Sequence, residues 1–236
     1  STLPLPNWTV NYNGLTKFEF MKKYVKNFVI RHGYSSTVSM AGVMSNLNAT
    51  VDANGDVNAR DLNNNFIPVN NVQSVTITER FSPLIGLDAT WNVRKQGLIT
   101  KFEIKKDRSA TLSLNNNQVT EVLGNEIVIG TGYKFGKVRL PFKINNSKIE
   151  SPLNVRFDFT FRDNITVIRK VVEGTDQATA GQRVISIKSS VDYNVTNNLL
   201  LQLYYDQVIT DPKIATSYPT GNLSTGIRIR FNLGGL

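Results

Sequence analysis

The sequence predicts an all-β protein: an antiparallel transmembrane β-barrel, built as one unit over residues 1–236 from about ten strands. Three observations predict it. Apolar and polar residues alternate with period two in segment after segment, which is how a strand sends neighbouring side chains to opposite faces. Stretches with the helical period are nearly absent, the one candidate being the short basic-aromatic piece from Phe18 to Lys26. From residue 115 onward, short Asn/Asp turns alternate with longer connections, as short periplasmic turns and long outer loops do in membrane barrels.

The elements follow in order. A first strand over 7–13 carries Trp8, Val10 and Tyr12, and a second covers 27–46. The segments 73–81 and 84–94 read as two strands or one long one, with Ile85, Leu87, Ala89, Trp91 and Val93 opposite Gly86, Asp88, Thr90, Asn92 and Arg94. Residues 98–114 read either as one long strand or as a hairpin tipped at Lys105-Lys106-Asp107-Arg108, which interrupts the alternation. Strands are expected at 118–135 and 151–163, the latter with every odd position apolar from Leu153 to Phe161. After an expected turn at Arg162-Asp163-Asn164-Ile165 come strands at 165–172, 182–195, 198–209 and 222–233, with further turns at 115–117 and 195–198. Longer connections are expected at 136–150, 173–181 and 210–221, and strand parity puts 47–72 on the periplasmic side. No internal repeat of fixed period is evident.

Composition narrows the class. The chain has 236 residues, 40% of them hydrophobic, and 27 Lys+Arg against 18 Asp+Glu, for a net charge of +9. That apolar content excludes ordinary disorder. The absence of cysteine excludes a disulfide scaffold, a thiolate metal site and a cysteine nucleophile. No apolar run is long enough for a membrane helix. The start, Ser1-Thr2-Leu3-Pro4, has no basic or apolar leader region, so the expectation is a removed signal or a piece of something longer.

Soluble half-buried sheets alternate too, so alternation alone leaves a soluble β-sandwich open. Two features favour the membrane. Aromatics gather toward strand ends on the apolar register (Trp8, Tyr12, Trp91, Tyr133, Phe135, Tyr193, Tyr205), as in interfacial girdles. The opposite register is strongly ionic, which a water-filled lumen tolerates and lipid does not. The expected lumen-facing residues are Asp88, Asn92, Arg156, Asp158, Arg162, Lys188, Asp192, Arg228 and Arg230. The expected lipid-facing ones are Ile85, Leu87, Trp91, Phe157, Phe159, Phe161, Ile227, Ile229 and Phe231. Open edges are forbidden in lipid, so the strands are expected to close into a ring, alone or with more chain.

Several stretches carry a family resemblance. They are Leu3-Pro4-Leu5-Pro6-Asn7-Trp8 through Leu15, Arg31-His32-Gly33-Tyr34-Ser35-Ser36-Thr37 and Glu79-Arg80-Phe81-Ser82-Pro83 through Gly86. Ser113-Leu114-Asn115-Asn116-Asn117 through Val122 and Gly226-Ile227-Arg228-Ile229-Arg230-Phe231-Asn232-Leu233 complete the set. Together they resemble the C-terminal part of the SprA (Sov) family, the outer-membrane translocons of the Bacteroidetes type IX secretion system. They are strand and turn texture rather than a catalytic signature. The resemblance implies that this chain is the C-terminal segment of a very large barrel in the cell outer membrane, with a lateral gate and a lumen that passes folded cargo. It implies partners: the remainder of the translocon barrel, a PorV-type shuttle protein, a periplasmic plug protein, and secreted cargo with a C-terminal sorting domain. Outer-membrane lipid surrounds such a barrel, and gliding motility depends on it in gliding species. The ending Gly234-Gly235-Leu236 departs from the terminal Phe common in such barrels, while Phe231 keeps the lipid-facing register.

Other chemistry reads weakly. The single histidine, His32, shares the apolar register of Phe28, Ile30 and Tyr34 and has no nucleophile motif beside it, so no catalytic residue and no enzyme activity are expected. Asp52-Ala53-Asn54-Gly55-Asp56-Val57-Asn58 resembles the opening of a calcium loop. It has Val57 where an EF-hand needs Gly and Asn63 where it needs Glu, so a turn-rich loop is the better reading, with no metal and no cofactor. Lys and Arg are scattered rather than gathered on one helix or stripe, which speaks against nucleic acid. Gly86, Gly130 and Gly132 fall on the polar register, as bends in curved strands or as bare backbone for a bound chain. Two rivals stay open: a small closed porin or receptor, and a soluble extracellular β-sandwich binding module.

Overall fold

The computed structural model describes residues 6–93, 96–144, 147–196, 198–214 and 217–231. The chain is all-β. It forms β1 (Trp8–Tyr12), a 3-10 turn (Gly14–Lys17), a single helical turn α1 (Glu19–Lys22) and β2 (Val25–Ala41). A small pair, β3 (Met44–Ser45) and β4 (Asn70–Asn71), leads to β5 (Ser74–Val93), β6 (Gln96–Ser113), β7 (Gln118–Ile144) and β8 (Ser147–Lys170). The chain closes with β9 (Thr175–Thr196), β10 (Leu199–Pro212) and β11 (Thr220–Phe231). Nine strands make one sheet in the order β1-β2-β5-β6-β7-β8-β9-β10-β11, every neighbour antiparallel. β1 and β11 are its two edges, and they do not pair with each other, so the sheet is not closed into a barrel.

Strands run longer than the alternation of hydrophobicity predicted. The expected turn at 162–165 is strand: Asp163 pairs with Asn125 and Arg183, and Asn164 with Gly124 and Gln182. Thus 151–163 and 165–172 are one strand. The expected long connections at 136–150 and 173–181 are also mostly strand, with β7 and β8 running on to Ile144 and Ser147 and β9 starting at Thr175. Segments 73–81 and 84–94 form the single strand β5, with a bulge between Phe81 and Ile85 that contains the cis peptide Ser82–Pro83. The 98–114 alternative resolves to one strand, with Lys105, Lys106, Asp107 and Arg108 each paired across to β7. Residues 232–233 of the expected last strand lie outside the described residues.

Antiparallel order then assigns the connections to two ends. At one, the tight end, β5–β6, β7–β8 and β9–β10 are joined by two-residue links. At the other, the wide end, lie 42–73, the turns 114–117 and 171–174, and 213–219. The expected turns at 115–117 and 195–198 therefore sit at opposite ends, and 42–73 shares an end with the former. Short and long connections do not alternate as expected, because residues 162–165 lie inside β8.

The 42–73 excursion holds a repeat that hydrophobic patterning does not reveal. Residues 50–58 and 59–67 are two successive nine-residue hairpins with the same bonds. Asp52 Oδ1 accepts the Asn54 and Asp56 amides, each at 2.9 Å, and Asp61 Oδ1 accepts those of Asn63 and Asn65 at 2.9 and 2.8 Å. Asn58 N–H donates to the Thr50 carbonyl and Ile67 N–H to that of Ala59. Gly55 and Asn64 occupy the matching positions with φ of 88° and 64°, a conformation Gly and Asn tolerate. The acidic loop read against calcium is thus a turn whose first carboxylate caps its own backbone.

Candidate functional site

The antiparallel register lays side chains in rows across the sheet, alternating between two faces. On the first face five rows form a belt, four of them mainly apolar. Two at the tight end contain Phe135, Leu153, Tyr193, Leu201 and Ile229, then Trp91, Leu98, Tyr133, Val155, Val191, Leu203 and Ile227. The middle row is mixed, with Phe28, Phe157 and Tyr205 beside Thr100, Thr131 and Ser189. The next holds Ile30, Leu87, Phe102, Ile129, Phe159 and Ile187, with Gln207 toward the β11 edge. The last holds Ile85, Ile104, Ile127, Phe161, Ile185 and Ile209. Eight residues separate the outer rows, about 27 Å along the strands at ~3.4 Å per residue.

Aromatics bracket this belt. At the tight end Tyr133 and Phe135 meet edge-on at 4.6 Å, Trp91 Nε1 donates to Thr100 at 2.8 Å and Tyr193 Oη to the Val138 carbonyl at 2.9 Å. Toward the wide end Trp8, Tyr34 and Phe81 cluster, Trp8 stacked on Tyr34 at 4.5 Å and Tyr34 tilted against Phe81 at 4.8 Å. His32 lies 6.2 Å from Trp8 and 6.0 Å from Phe81, its Nδ1 2.7 Å from the Leu84 carbonyl, so that nitrogen carries the proton. Tyr12 ends β1 as expected, at the height of the belt, whereas Tyr205, expected near a strand end, falls inside it.

In the row of Trp8, Tyr34 and Phe81 the same face turns ionic from β6 onward. Lys106, Asn125, Asp163, Arg183 and Asp211 form one row. Past it, Glu121, with its side chain 8% exposed, is held by Arg108 Nε at 2.5 Å and Arg169 Nη2 at 2.9 Å. Arg108 also meets Glu79 at 3.2 Å, Arg169 meets Asp176, and Lys213 meets Asp163. This change of chemistry along one face is what made β8 look interrupted.

The second face is mainly polar, with scattered apolar residues such as Val29, Ile99, Val128, Val184 and Val208 among its charges. The register places Asp88, Asn92, Arg156, Asp158, Arg162, Lys188, Asp192, Arg228 and Arg230 there, and Ile85, Leu87, Trp91, Phe157, Phe159, Phe161, Ile227, Ile229 and Phe231 on the other. An ion-pair chain crosses five strands: Asp88 and Arg31 at 2.5 Å, Arg31 and Glu103 at 2.7 Å, Glu103 and Lys105 at 3.6 Å, Lys105 and Glu126 at 2.8 Å, Glu126 and Arg162 at 3.3 Å. Asp158, Lys188 and Asp206 oppose one another in the next strands. Arg31, Glu103, Lys105 and Glu126 were missed from sequence. Their signal was present in Lys101-Phe102-Glu103-Ile104-Lys105, a charged alternation visible only if 98–114 is kept as a strand.

Side chains of neighbouring strands lie over the glycines of this face. A Cβ on Gly130 would come within 2.8 Å of Asp158 Oδ1, and one on Gly86 within 3.3 Å of Arg31 Cβ. Gly130 makes room for Asp158 of the ionic lattice, Gly86 is crowded first by Pro83 at 2.7 Å, and a Cβ on Gly132 would meet only ordinary contacts at 3.8 Å or more.

The sheet covers neither face. Exposed surface totals 16679 Å², against about 10,600 Å² for a folded monomer of this mass. The only buried apolar residues among those described are Val25, Tyr34, Ala89 and Tyr193, while Ile129, Phe135, Phe157, Leu203, Ile227, Ile229 and Phe231 stand exposed on the belt. Compared with known proteins, the chain matches no family model and no curated sequence.

Proposed function

We propose that this chain is a wall segment of an outer-membrane β-barrel whose polar lumen conducts folded proteins. The observation that carries the membrane part is the apolar belt, bounded by aromatics and, toward the wide end, by ion pairs. At a strand tilt of 35–45° its roughly 27 Å along the strands becomes about 19–22 Å of height, near the ~25 Å band of membrane barrels. An apolar face of this extent in water would be costly. The ionic face is the lumen wall, where hydrated charges cost little. β1 and β11 expose unpaired backbone that lipid does not tolerate, so each requires a further strand. That favours a segment of a larger barrel over a small closed porin. The protein-conducting role rests on the resemblance of the stretches quoted above to the type IX translocons. With it come a lateral gate and the PorV-type shuttle, plug and cargo with a sorting domain as partners. The two-residue links of the tight end support a periplasmic position for it, with the wide end outside, although the longer 13–24 connection shares the tight end.

Two experiments test the reading. Carbonate extraction of membranes must leave the protein in the pellet; release into the supernatant identifies a soluble module. Photo-crosslinkers at Asp158 and Lys188 should capture secreted cargo during export, whereas crosslinkers at Phe157 and Ile187 should capture lipid. Cargo adducts on neither face would remove the conducting role.

A further inference from the structure

The segment between β1 and β2 has a chemistry found nowhere else among the described residues. β1 ends at Tyr12, in the row of Ile30, and the chain re-enters the sheet at Val25, opposite Trp91. Residues 13–24 therefore lie beside the tight-end rows of the belt, where β1 no longer covers β2. The segment is ordered by its own bonds: Met21 and Lys22 N–H donate to the Phe18 carbonyl at 3.0 and 3.1 Å, and Tyr24 N–H to that of Met21 at 3.0 Å. It is tied to the sheet where Asn92 N–H donates to the Tyr24 carbonyl at 2.8 Å and Asn92 Nδ2 to that of Lys22 at 3.2 Å.

This fixed segment nevertheless presents its large apolar groups outward. Phe18 is 51% and Phe20 67% exposed, their rings stacked at 5.8 Å, and Tyr24 is 59% exposed. Around them stand Lys17, Lys22, Lys23 and Lys26 against the single acid Glu19. None of the four lysines is in an ion pair among the described residues, and Lys23 reaches only the Tyr24 ring, at 5.7 Å. Elsewhere in the sheet many charges pair across strands, as those of Arg31, Lys105, Arg108, Arg162 and Arg169 do. Here an ordered basic-aromatic rim abuts the apolar belt.

We propose that residues 14–26 are an interfacial anchor. Phe18 and Phe20 enter the acyl boundary of the leaflet at the tight end, and Lys17, Lys22, Lys23 and Lys26 hold the phosphates of anionic phospholipid headgroups. Aromatic rings with lysines at the edge of a membrane-spanning band suit that layer. The cationic excess selects anionic over zwitterionic lipid. The proposal rests on the membrane reading of the belt and adds to it a lipid partner.

The test uses the full-length protein in nanodiscs, with an environment-sensitive fluorophore on Phe20→Cys or, as control, on Phe157→Cys. Lipids brominated at known depths serve as quenchers. The expected result is quenching of residue 20 by bromines near the headgroups. In parallel, detergent-solubilised protein should bind phosphatidylglycerol more tightly than phosphatidylcholine, and K22Q/K23Q should lower that affinity about 30-fold. Quenching at 157 without quenching at 20 overturns the anchor and leaves the membrane reading intact. Quenching at neither position overturns both. Quenching at 20 with no preference for phosphatidylglycerol overturns the role of the lysines.

Discussion

An arginine placed at three heights of one strand measures whether the belt faces hydrocarbon. Phe157, Phe161 and Ile165 share a face of β8 and lie in the middle row, the outermost apolar row, and the second row past the belt. Phe157 is 40% exposed. Arginine on a lipid face costs about 2–4 kcal/mol at the midplane and about 0–1 near the interface. Phe157→Arg should therefore destabilise by roughly 2–4 kcal/mol. Phe161→Arg should cost about 1 kcal/mol, and Ile165→Arg about 0.5 kcal/mol or less, as at an ordinary surface site. The control Asp158→Arg, on the opposite face, should cost under about 1 kcal/mol. Denaturant midpoints in lipid vesicles supply the values. A flat profile along the strand, or a larger cost at Ile165 than at Phe157, refutes the membrane assignment of this face, because a protein-covered sheet pays by local packing rather than by depth.

Other outcomes follow from the geometry. Glu121→Gln removes the charge that joins Arg108 and Arg169 on the extended part of the sheet and should cost about 1–3 kcal/mol, read as faster amide exchange in β6–β8 beyond Phe81. Gly33→Val places a side chain against the Ser82 carbonyl, 3.0 Å from an ideal Cβ, and should cost about 1–3 kcal/mol because backbone must move; an unchanged melting temperature counters it. The Asn65 and Asn63 amides, with the Asn65 side chain, hold the Asp61 carboxyl below its ordinary range. A lowered folded-state pKa gives order that is present above the unfolded value and lost as pH falls through the lowered one, so amide shifts of Asn63 and Asn65 should collapse only below the usual carboxylate range. If the wide end is external, protease added to intact cells should cleave near Leu62, the fully exposed tip of the second hairpin; cleavage only after permeabilisation would reverse the orientation.

Face assignment was legible in the sequence because it is local. A strand alternates by covalent geometry, so Leu153 to Phe161 and Ile227 to Phe231 revealed their apolar side without knowledge of any neighbour, and the Asn-rich turns marked several true reversals. Strand length was not local. Asp163 looks like a turn residue until Arg183 and Lys213 are seen beside it, and Lys105-Lys106-Asp107-Arg108 looks like a hairpin tip until its charges are matched to Glu103 and Glu126 on one face and Glu79 and Glu121 on the other. Pairing of opposite charges across strands depends on register, which only the assembled sheet supplies. The sequence by itself determined that this chain makes strands with one oily and one ionic side. Tertiary structure decided where the oily side stops, because on that face register gathers the ions where residues of other strands meet them, as Glu121 meets Arg108 and Arg169.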